Sequence, residues 1–287
     1  MTVHTFADRD PEIEEVLRIA RLASERIKAI YATDFKVDLK GPNDPVTAAD
    51  REANEIICSA LEEAFPGDAI VAEESAPKDR EELGRLVSNE RVWYVDPLDG
   101  TREFADRNGE FAVMVGLARR GKADLGVLVL PTSGIALAGR VGAGCFVEEL
   151  DGGRLPLAVS LVGESEEARL LVSRSHRSKA LEPLIDVLGV KRIIPCGSVG
   201  VKVSRIAMEG ADLYIHAGGG AKRWDTCAPE AVLVSAGGRF TDLVGASIDY
   251  ASVDLEQRTG IVATNALLHE RVIAVTSQLG RLVTPRS

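Results

Sequence analysis

Residues 111–148 constrain the fold more than any other part of this chain. The segments FAVMVGLA, ADLGVLVLP and GIALAGRV follow one another there with only short Gly- or Pro-containing breaks between them. Apolar runs of this length, separated by turn formers, predict consecutive strands of a β-meander. Upstream, Ile13, Val16, Leu17, Ala20, Ile27 and Ile30 recur at three- and four-residue spacing, so about 11–31 is predicted as an amphipathic helix. Ala53, Ile56, Ile57, Ala60, Leu61, Ala64 and Phe65 predict a second helix, stopped by Pro66-Gly67. LKGPNDPVT (39–47), between the two, reads as a polar loop. Ile70–Ala72 and Arg91–Val95 read as short strands that both run into acids. Past about residue 155, strand-like and helix-like stretches alternate: LLVS, helical stretches near 178–188 and 199–209, DLYIH, APEAVLVSA, GIVATN and an amphipathic tail. Alternation of this kind implies layered α/β packing. The gradual change near 150–165 divides the chain into an α+β part, residues 1–155, and an α/β part, residues 156–287.

Charge limits the partners. The 287 residues carry 44 acids against 34 bases, a net charge of −10. Such a chain has little general attraction for a nucleic-acid polymer or an anionic membrane. If the substrate is an anion, the acids must be offset locally, and metal ions are the obvious supply. The four cysteines, Cys58, Cys145, Cys196 and Cys227, form no CxxC pair and read as free thiols of a reducing compartment. The first residues, MTVHTFADRDPEIEE, lack a basic segment followed by an apolar run. No stretch approaches the roughly 18 apolar residues of a membrane span. A cytoplasmic protein is expected.

The stretch with most chemistry is Trp93-Tyr94-Val95-Asp96-Pro97-Leu98-Asp99-Gly100-Thr101. A buried apolar strand runs there into two carboxylates three residues apart. Pro97 fixes the chain, Gly100 permits a tight turn, and Thr101 starts the next helix. Oxygen ligands at this spacing, with the Leu98 carbonyl between them, suit a hard cation such as Mg²⁺. The N–H groups of Gly100 and Thr101 would then face an anion beside the metal, as phosphoryl transfer to water requires. Each acid also has a plainer reading. Asp96 and Asp99 form a turn with a helix cap, Glu73-Glu74 end a strand, Asp225 caps a helix, and Asp50 closes a capping box with Thr47. Two carboxylates about 4 Å apart repel by roughly 4 kcal/mol at an effective dielectric near 20. Convergent acids therefore strain a metal-free site, and divalent ions reverse that balance.

Four blocks, DPVTAAD (44–50), VAEES (71–75), WYVDPLDGT (93–101) and WDTCAPEAVL (224–233), occur in this order along nearly the whole chain. Together they resemble the signatures of the inositol-monophosphatase superfamily. Lys40-x₃-Asp44-Pro45-Val46-Thr47, Ser173-Arg174-Ser175-His176, Gly197-Ser198-x-Gly200-x-Lys202 and the full Trp224–Glu230 segment resemble its 3′(2′),5′-bisphosphate nucleotidase branch in particular. The resemblance implies an α-β-α-β-α layered sandwich. It implies two or three Mg²⁺ ions held by Glu73, Asp96, the Leu98 carbonyl, Asp99 and Asp225. Asp50 and Thr101 would orient and deprotonate the attacking water. Gly100 and Thr101 would hold the phosphate, and Ser173, His176, Ser198, Lys202 and Asp225 would meet the rest of the substrate. Members of the family are commonly inhibited by Li⁺.

The expected substrate is a small nucleotide bisphosphate, with 3′-phosphoadenosine 5′-phosphate converted to AMP. Alternatives are an inositol monophosphate or sugar bisphosphate phosphatase of the same family, and a non-catalytic metabolite- or Mg²⁺-binding regulator. The regulator reading is disfavoured because no presumed metal acid is missing, nor is Asp50 or Thr101. Gly218–Gly220 reads as a rim loop, where Lys222 and Arg223 are expected to attract a dianion. The strand-rich middle leaves a homodimer open.

Overall fold

The computed structural model describes residues 10–41, 44–174 and 179–283. The chain starts with α1 (Pro11–Tyr31), a hairpin of β1 (Val37–Gly41) and β2 (Asp44–Thr47), and α2 (Ala48–Ala64). Next come β3 (Ala69–Ala72), α3 (Arg80–Val87), β4 (Arg91–Asp99) and α4 (Thr101–Ala105). β5 (Ala112–Arg119), β6 (Lys122–Leu130), β7 (Ile135–Arg140), β8 (Gly144–Glu148) and β9 (Arg154–Pro156) complete a seven-stranded sheet of order β3-β4-β5-β6-β7-β8-β9. The pair β3–β4 is parallel, and the pairs from β4–β5 onward are antiparallel. The second half holds β10 (Arg169–Ser173), α5 (Glu182–Leu188), β11 (Arg192–Cys196), α6 (Val199–Ala207), β12 (Leu213–His216), α7 (Cys227–Ser235), β13 (Arg239–Thr241), β14 (Ile261–Thr264) and α8 (His269–Val283). Its five-stranded sheet has the order β11-β10-β12-β14-β13, with β11, β10 and β12 parallel.

The layers follow from which faces are apolar. α1 and α2 cover one face of the seven-stranded sheet, where Trp93, Val95, Val113, Val115, Leu125 and Val127 are buried with Val16, Ile27 and Ile57. α6 and α7 lie between the sheets and touch both. Tyr94, Met114, Leu128, Ile206, Cys227 and Tyr214 meet in that central layer. α5 and α8 pack together on the outer side, over a core containing Leu170, Leu213, Val262 and Leu184. The order is therefore α-β-α-β-α, as the family resemblance implies. Both faces of β5 and β6 are covered, which is why FAVMVGLA reads as a continuous apolar run rather than an alternation. Two glycines let α7 approach. A Cβ at Gly116 would stand 2.5 Å from the Ala228 nitrogen, and one at Gly126 2.3 Å from the Ala228 oxygen.

Two local expectations need correction. Val37–Gly41 and Asp44–Thr47 pair as the antiparallel strands β1 and β2 rather than forming a loop. The exposed β1 carries no buried apolar face for a sequence pattern to reveal. Ion pairs join β1 to its neighbours, from Lys40 to Glu73 and Glu74 and from Arg51 to Asp38, while Val46 of β2 is buried. Asp225 is not a helix cap, because Thr226 holds that position before α7. Among the described residues no helix is long and apolar enough to cross a membrane.

Candidate active site

Strand β4 delivers the first acids. It does not stop at Val95 but continues to Asp99, with a bulge between Asp96 and Asp99 where pairing with β5 shifts register. The Asp96 carboxylate accepts the Leu98 N–H at 3.0 Å, which folds the bulge back on itself. Gly100 then adopts φ +98°, and a Cβ there would stand 2.9 Å from the Glu110 carbonyl. Only glycine fits that turn. α4 begins at Thr101 with Gly100 as its cap residue.

Thr101 faces Asp50. Its Oγ1 lies 2.9 Å from Asp50 Oδ1 and 3.2 Å from the Leu98 carbonyl, and its one hydrogen favours the shorter contact. Asp50 is held from its other side, because Oδ2 accepts both the Thr47 N–H and the Thr47 hydroxyl at 2.7 Å. The capping box of α2 therefore exists, and it orients the same carboxylate that meets Thr101. Burial raises the Asp50 pKa, against the lowering influence of the Thr47 and Thr101 hydrogen bonds.

Glu73 follows β3 and is tied to β4 by its N–H, which donates to the Val95 carbonyl at 3.0 Å. Burial pushes its pKa up to about 7, with Lys40 opposing. Asp96 is raised well above the usual carboxylate range, first by burial and then by the charges of Glu73, Asp99 and Asp225. Asp225 is raised for the same reasons, by burial and by Asp99 and Glu73, and it also shares a hydrogen bond with Asp96. Asp99 is raised by burial, with its bonds to Ser198 and Gly200 opposing. The four acids thus form one electrostatic cluster drawn from β3, β4 and the turn before α7. They do not form a finished cage, because among the described residues no group of three or more His, Cys, Asp or Glu side chains stands ready to hold a metal ion. The reason lies in their present partners. Glu73 pairs with Lys40 Nζ at 2.8 Å, Asp99 accepts Ser198 Oγ at 2.5 Å and the Gly200 N–H at 2.7 Å, and Asp225 accepts the Lys222 N–H at 2.7 Å. The donor set is nevertheless that of a hard divalent cation: carboxylate oxygens that burial first, and repulsion second, already draw toward the protonated form.

The other side of the site lies at the carboxyl ends of three parallel strands. Ser173 ends β10, His216 ends β12, and Ser198 follows β11. That edge of an open α/β sheet is where ligands bind. A cavity of about 330 Å³ joins the two sides, lined by Asp99, Gly100, Thr101 and Asp225 and by Ser173, Ser198 and Lys202. Ser198 is strained. Its φ of +53° is in the half of the map that side chains avoid, and such a residue costs on the order of 1–3 kcal/mol. Its hydroxyl points to Asp99, and its oxygen accepts the Val201 N–H at 3.0 Å, capping α6. Lys202 is buried. Its Nζ donates to the Ser198 carbonyl at 2.9 Å and lies 5.0 Å from the Tyr214 ring centre. Burial lowers its pKa, against the raising influence of Asp99, Glu103 and Glu110 nearby.

Two expectations fare differently. His176 lies outside the described residues. Arg223 does not face an incoming dianion; it is buried, and its guanidinium donates to the Asp249 carbonyl and to Gln257. The cavity also contains Tyr214, His216, Arg102 and Glu103, which motif reading missed. The signal for His216 was available in its place at the end of DLYIH, a strand parallel to the one that ends in Ser173.

The model of the inositol monophosphatase family matches residues 8–281. The chain belongs to that family. It is a phosphatase of the family's layered α/β fold. Among curated relatives, the 3′(2′),5′-bisphosphate nucleotidase CysQ of Escherichia coli K12 is 34% identical over 242 residues, covering 83% of this chain and 93% of the relative. The human 3′(2′),5′-bisphosphate nucleotidase 1 is 29% identical, covering 76% and 78%. Among solved structures, CysQ from Bacteroides thetaiotaomicron superposes with a TM-score of 0.72 at 27% identity, covering 88% of this chain and 97% of that one. An IMPase from Thermotoga maritima shares the fold with a TM-score of 0.78 at 22% identity, covering 96% and 100%.

Proposed function

We propose that this inositol monophosphatase family member is a Mg²⁺-dependent 3′(2′),5′-bisphosphate nucleotidase that converts 3′-phosphoadenosine 5′-phosphate to AMP and phosphate. The observation that carries the reading is the cavity itself. Thr101, which meets Asp50, lines it together with Asp99 and Asp225 of the acid cluster, and the buried Lys202 lines it too. A substrate with two separated phosphates suits such a site. The likeness to CysQ supports the same assignment.

Glu73, Asp96, Asp99, Asp225 and the Leu98 carbonyl would hold the magnesium, after Glu73 leaves Lys40. Bound there, the ion supplies positive charge to the phosphoryl oxygens and to the leaving alkoxide, and makes water more acidic. The protein's own groups do the rest. Gly100 and Thr101 present N–H groups at the start of α4, a place suited to phosphoryl oxygens. The attacking water donates a hydrogen bond to Thr101 Oγ1, whose own hydrogen passes to Asp50 Oδ1 at 2.9 Å. The raised pKa of Asp50 suits it to take that proton. Water attacks in line with the departing ribose oxygen, with no phosphoenzyme. Lys202 would pair with the phosphate that is not cleaved, and Ser173 and Ser198 line the same cavity.

A side-by-side assay tests this. Values of kcat/KM for 3′-phosphoadenosine 5′-phosphate, inositol 1-phosphate and a sugar bisphosphate are expected to favour the nucleotide. Inositol 1-phosphate as the best substrate would overturn the assignment, and no cleavage of any phosphoester would favour the binding-regulator reading.

A further inference from the structure

We propose that Glu110 is a positioning residue that sets the spacing between the phosphate loop at Gly100 and the turn Gly197–Ser198, and thereby governs how tightly the nucleotide is held. The proposal rests on the nucleotidase reading above.

Glu110 sits between α4 and β5, in a turn fixed by its N–H donating to Asn108 Oδ1 at 2.9 Å. Its carbonyl is the atom that a Cβ at Gly100 would strike, so its backbone abuts the phosphate loop. Its carboxylate reaches the other half of the cavity. Oε2 accepts the Gly197 N–H at 2.7 Å and Arg174 Nε at 3.0 Å. Oε1 accepts Arg174 Nη2 at 3.1 Å and Arg205 Nη2 at 3.2 Å. Arg174 directly follows Ser173 at the end of β10 and also donates to the Pro195 carbonyl at 3.1 Å. Arg205 stands on α6, the helix that Ser198 caps and that carries Lys202. One carboxylate thus joins the end of β10, the end of β11 and the body of α6, while its own backbone rests on Gly100.

The turn it holds needs holding. Gly197 has no room for a side chain, since a Cβ there would stand 2.2 Å from Glu103 Cγ. Ser198 follows with its left-handed φ of +53°. A conformation of this kind persists only where its surroundings over-determine it. Glu103 packs on Gly197 from one side, Glu110 takes its N–H from another, and Asp99 takes the Ser198 hydroxyl. A carboxylate forked onto an arginine is among the stronger such restraints. Glu110 does not line the cavity whereas Ser198 and Lys202 do, so it acts on the substrate through them.

Steady-state kinetics on 3′-phosphoadenosine 5′-phosphate with Mg²⁺ test the idea in the 287-residue chain. Glu110→Gln is expected to raise KM about tenfold while kcat stays within about twofold. Arg205→Ala, a change at a half-buried side chain, is expected to raise KM about threefold, and it carries the test alone if Glu110→Gln does not fold. The double variant Glu110→Gln/Ser198→Ala is expected to show the KM of Ser198→Ala alone, because Glu110 acts through that turn. A purely structural role would lower the melting temperature and leave KM unchanged. Unchanged KM in the single variants, or effects that multiply in the double, would overturn the proposal. If the wild type cleaves a different phosphoester instead, the nucleotidase reading fails, and the same KM comparison on that ester still decides the role of Glu110.

Discussion

Asp50 and Thr101 stand 51 positions apart in the chain, yet the Thr101 hydroxyl lies 2.9 Å from a carboxylate oxygen of Asp50. The capping box of α2 fixes the acid, and the bulged end of β4 delivers the hydroxyl. On the proposed mechanism, a pair held this firmly before substrate arrives needs no assembly by binding to pass a proton.

Removing that hydroxyl isolates its role. Thr101→Val is expected to lower kcat by about 10²–10⁴-fold, the usual worth of a positioned proton acceptor. KM and the melting temperature should change little. Thr101→Ser keeps an oxygen at the same atom and should recover most of kcat. Single-turnover rates for the two variants check the difference; equal losses in both would argue against a proton relay at this position.

Stability should depend on pH in a way that Mg²⁺ cancels. The folded-state pKa of Glu73 is raised from 4.5 to about 7, and Asp96 and Asp225 are raised too. Below the ordinary carboxylate range these groups hold protons in both states and cost nothing. As pH rises, the unfolded chain releases its protons while the fold retains them, so the stability these groups contribute is lost through about pH 7. Melting temperatures in EDTA and in Mg²⁺ are expected to diverge between about pH 5 and pH 8, with the gap widening upward. A constant gap contradicts this.

Lys202 should separate two phosphates from one. Lys202→Met removes a buried cation of similar length, and KM for 3′-phosphoadenosine 5′-phosphate is expected to rise about 10- to 100-fold, the worth of a charge-assisted hydrogen bond. KM for adenosine 3′-monophosphate should hardly move. Because burial already disfavours the ammonium, the variant is expected to melt no lower than wild type. Parallel losses on both substrates would remove Lys202 from recognition of the second phosphate.

The closeness of α7 to the sheet should matter to the site as well as to the core. Gly126→Ala places a methyl 2.3 Å from the Ala228 carbonyl, so the helix must move. Overpacking of this kind costs about 1–3 kcal/mol. Asp225 sits just ahead of that helix, and its alignment with Asp96 should suffer with it. A melting temperature lower by several degrees together with weaker Mg²⁺ stabilisation is expected; a fall in stability alone would mean that the helix can shift without disturbing Asp225.

Much of this was legible in the sequence, for reasons that vary by element. α1 was readable to the residue because one face of a long helix meets a sheet and the other meets water. β5, β6 and β7 were readable because each is an apolar run cut by turn formers. The hairpin β1–β2 was not, because its strand β1 is exposed and shows no apolar alternation. Short β13 carries too few residues to show a period. In the site, acids at strand ends stood out because a buried carboxylate is expensive without a role. Glu110 did not, since a glutamate in a loop looks solvated until the arginines that surround it are placed by the fold. Arg223 misled for the converse reason: its neighbour Asp225 suggested the site, while the fold turns its guanidinium inward to Gln257.

Titration calorimetry of Mg²⁺ into the metal-free protein tests the central claim most directly, with wild type compared against Asp96→Asn and Asp99→Asn. The account predicts saturable binding in the wild type, released protons that increase as pH falls toward about 6, and loss of most of that binding in both variants. Binding that both substitutions leave intact, or no binding at all, would contradict it.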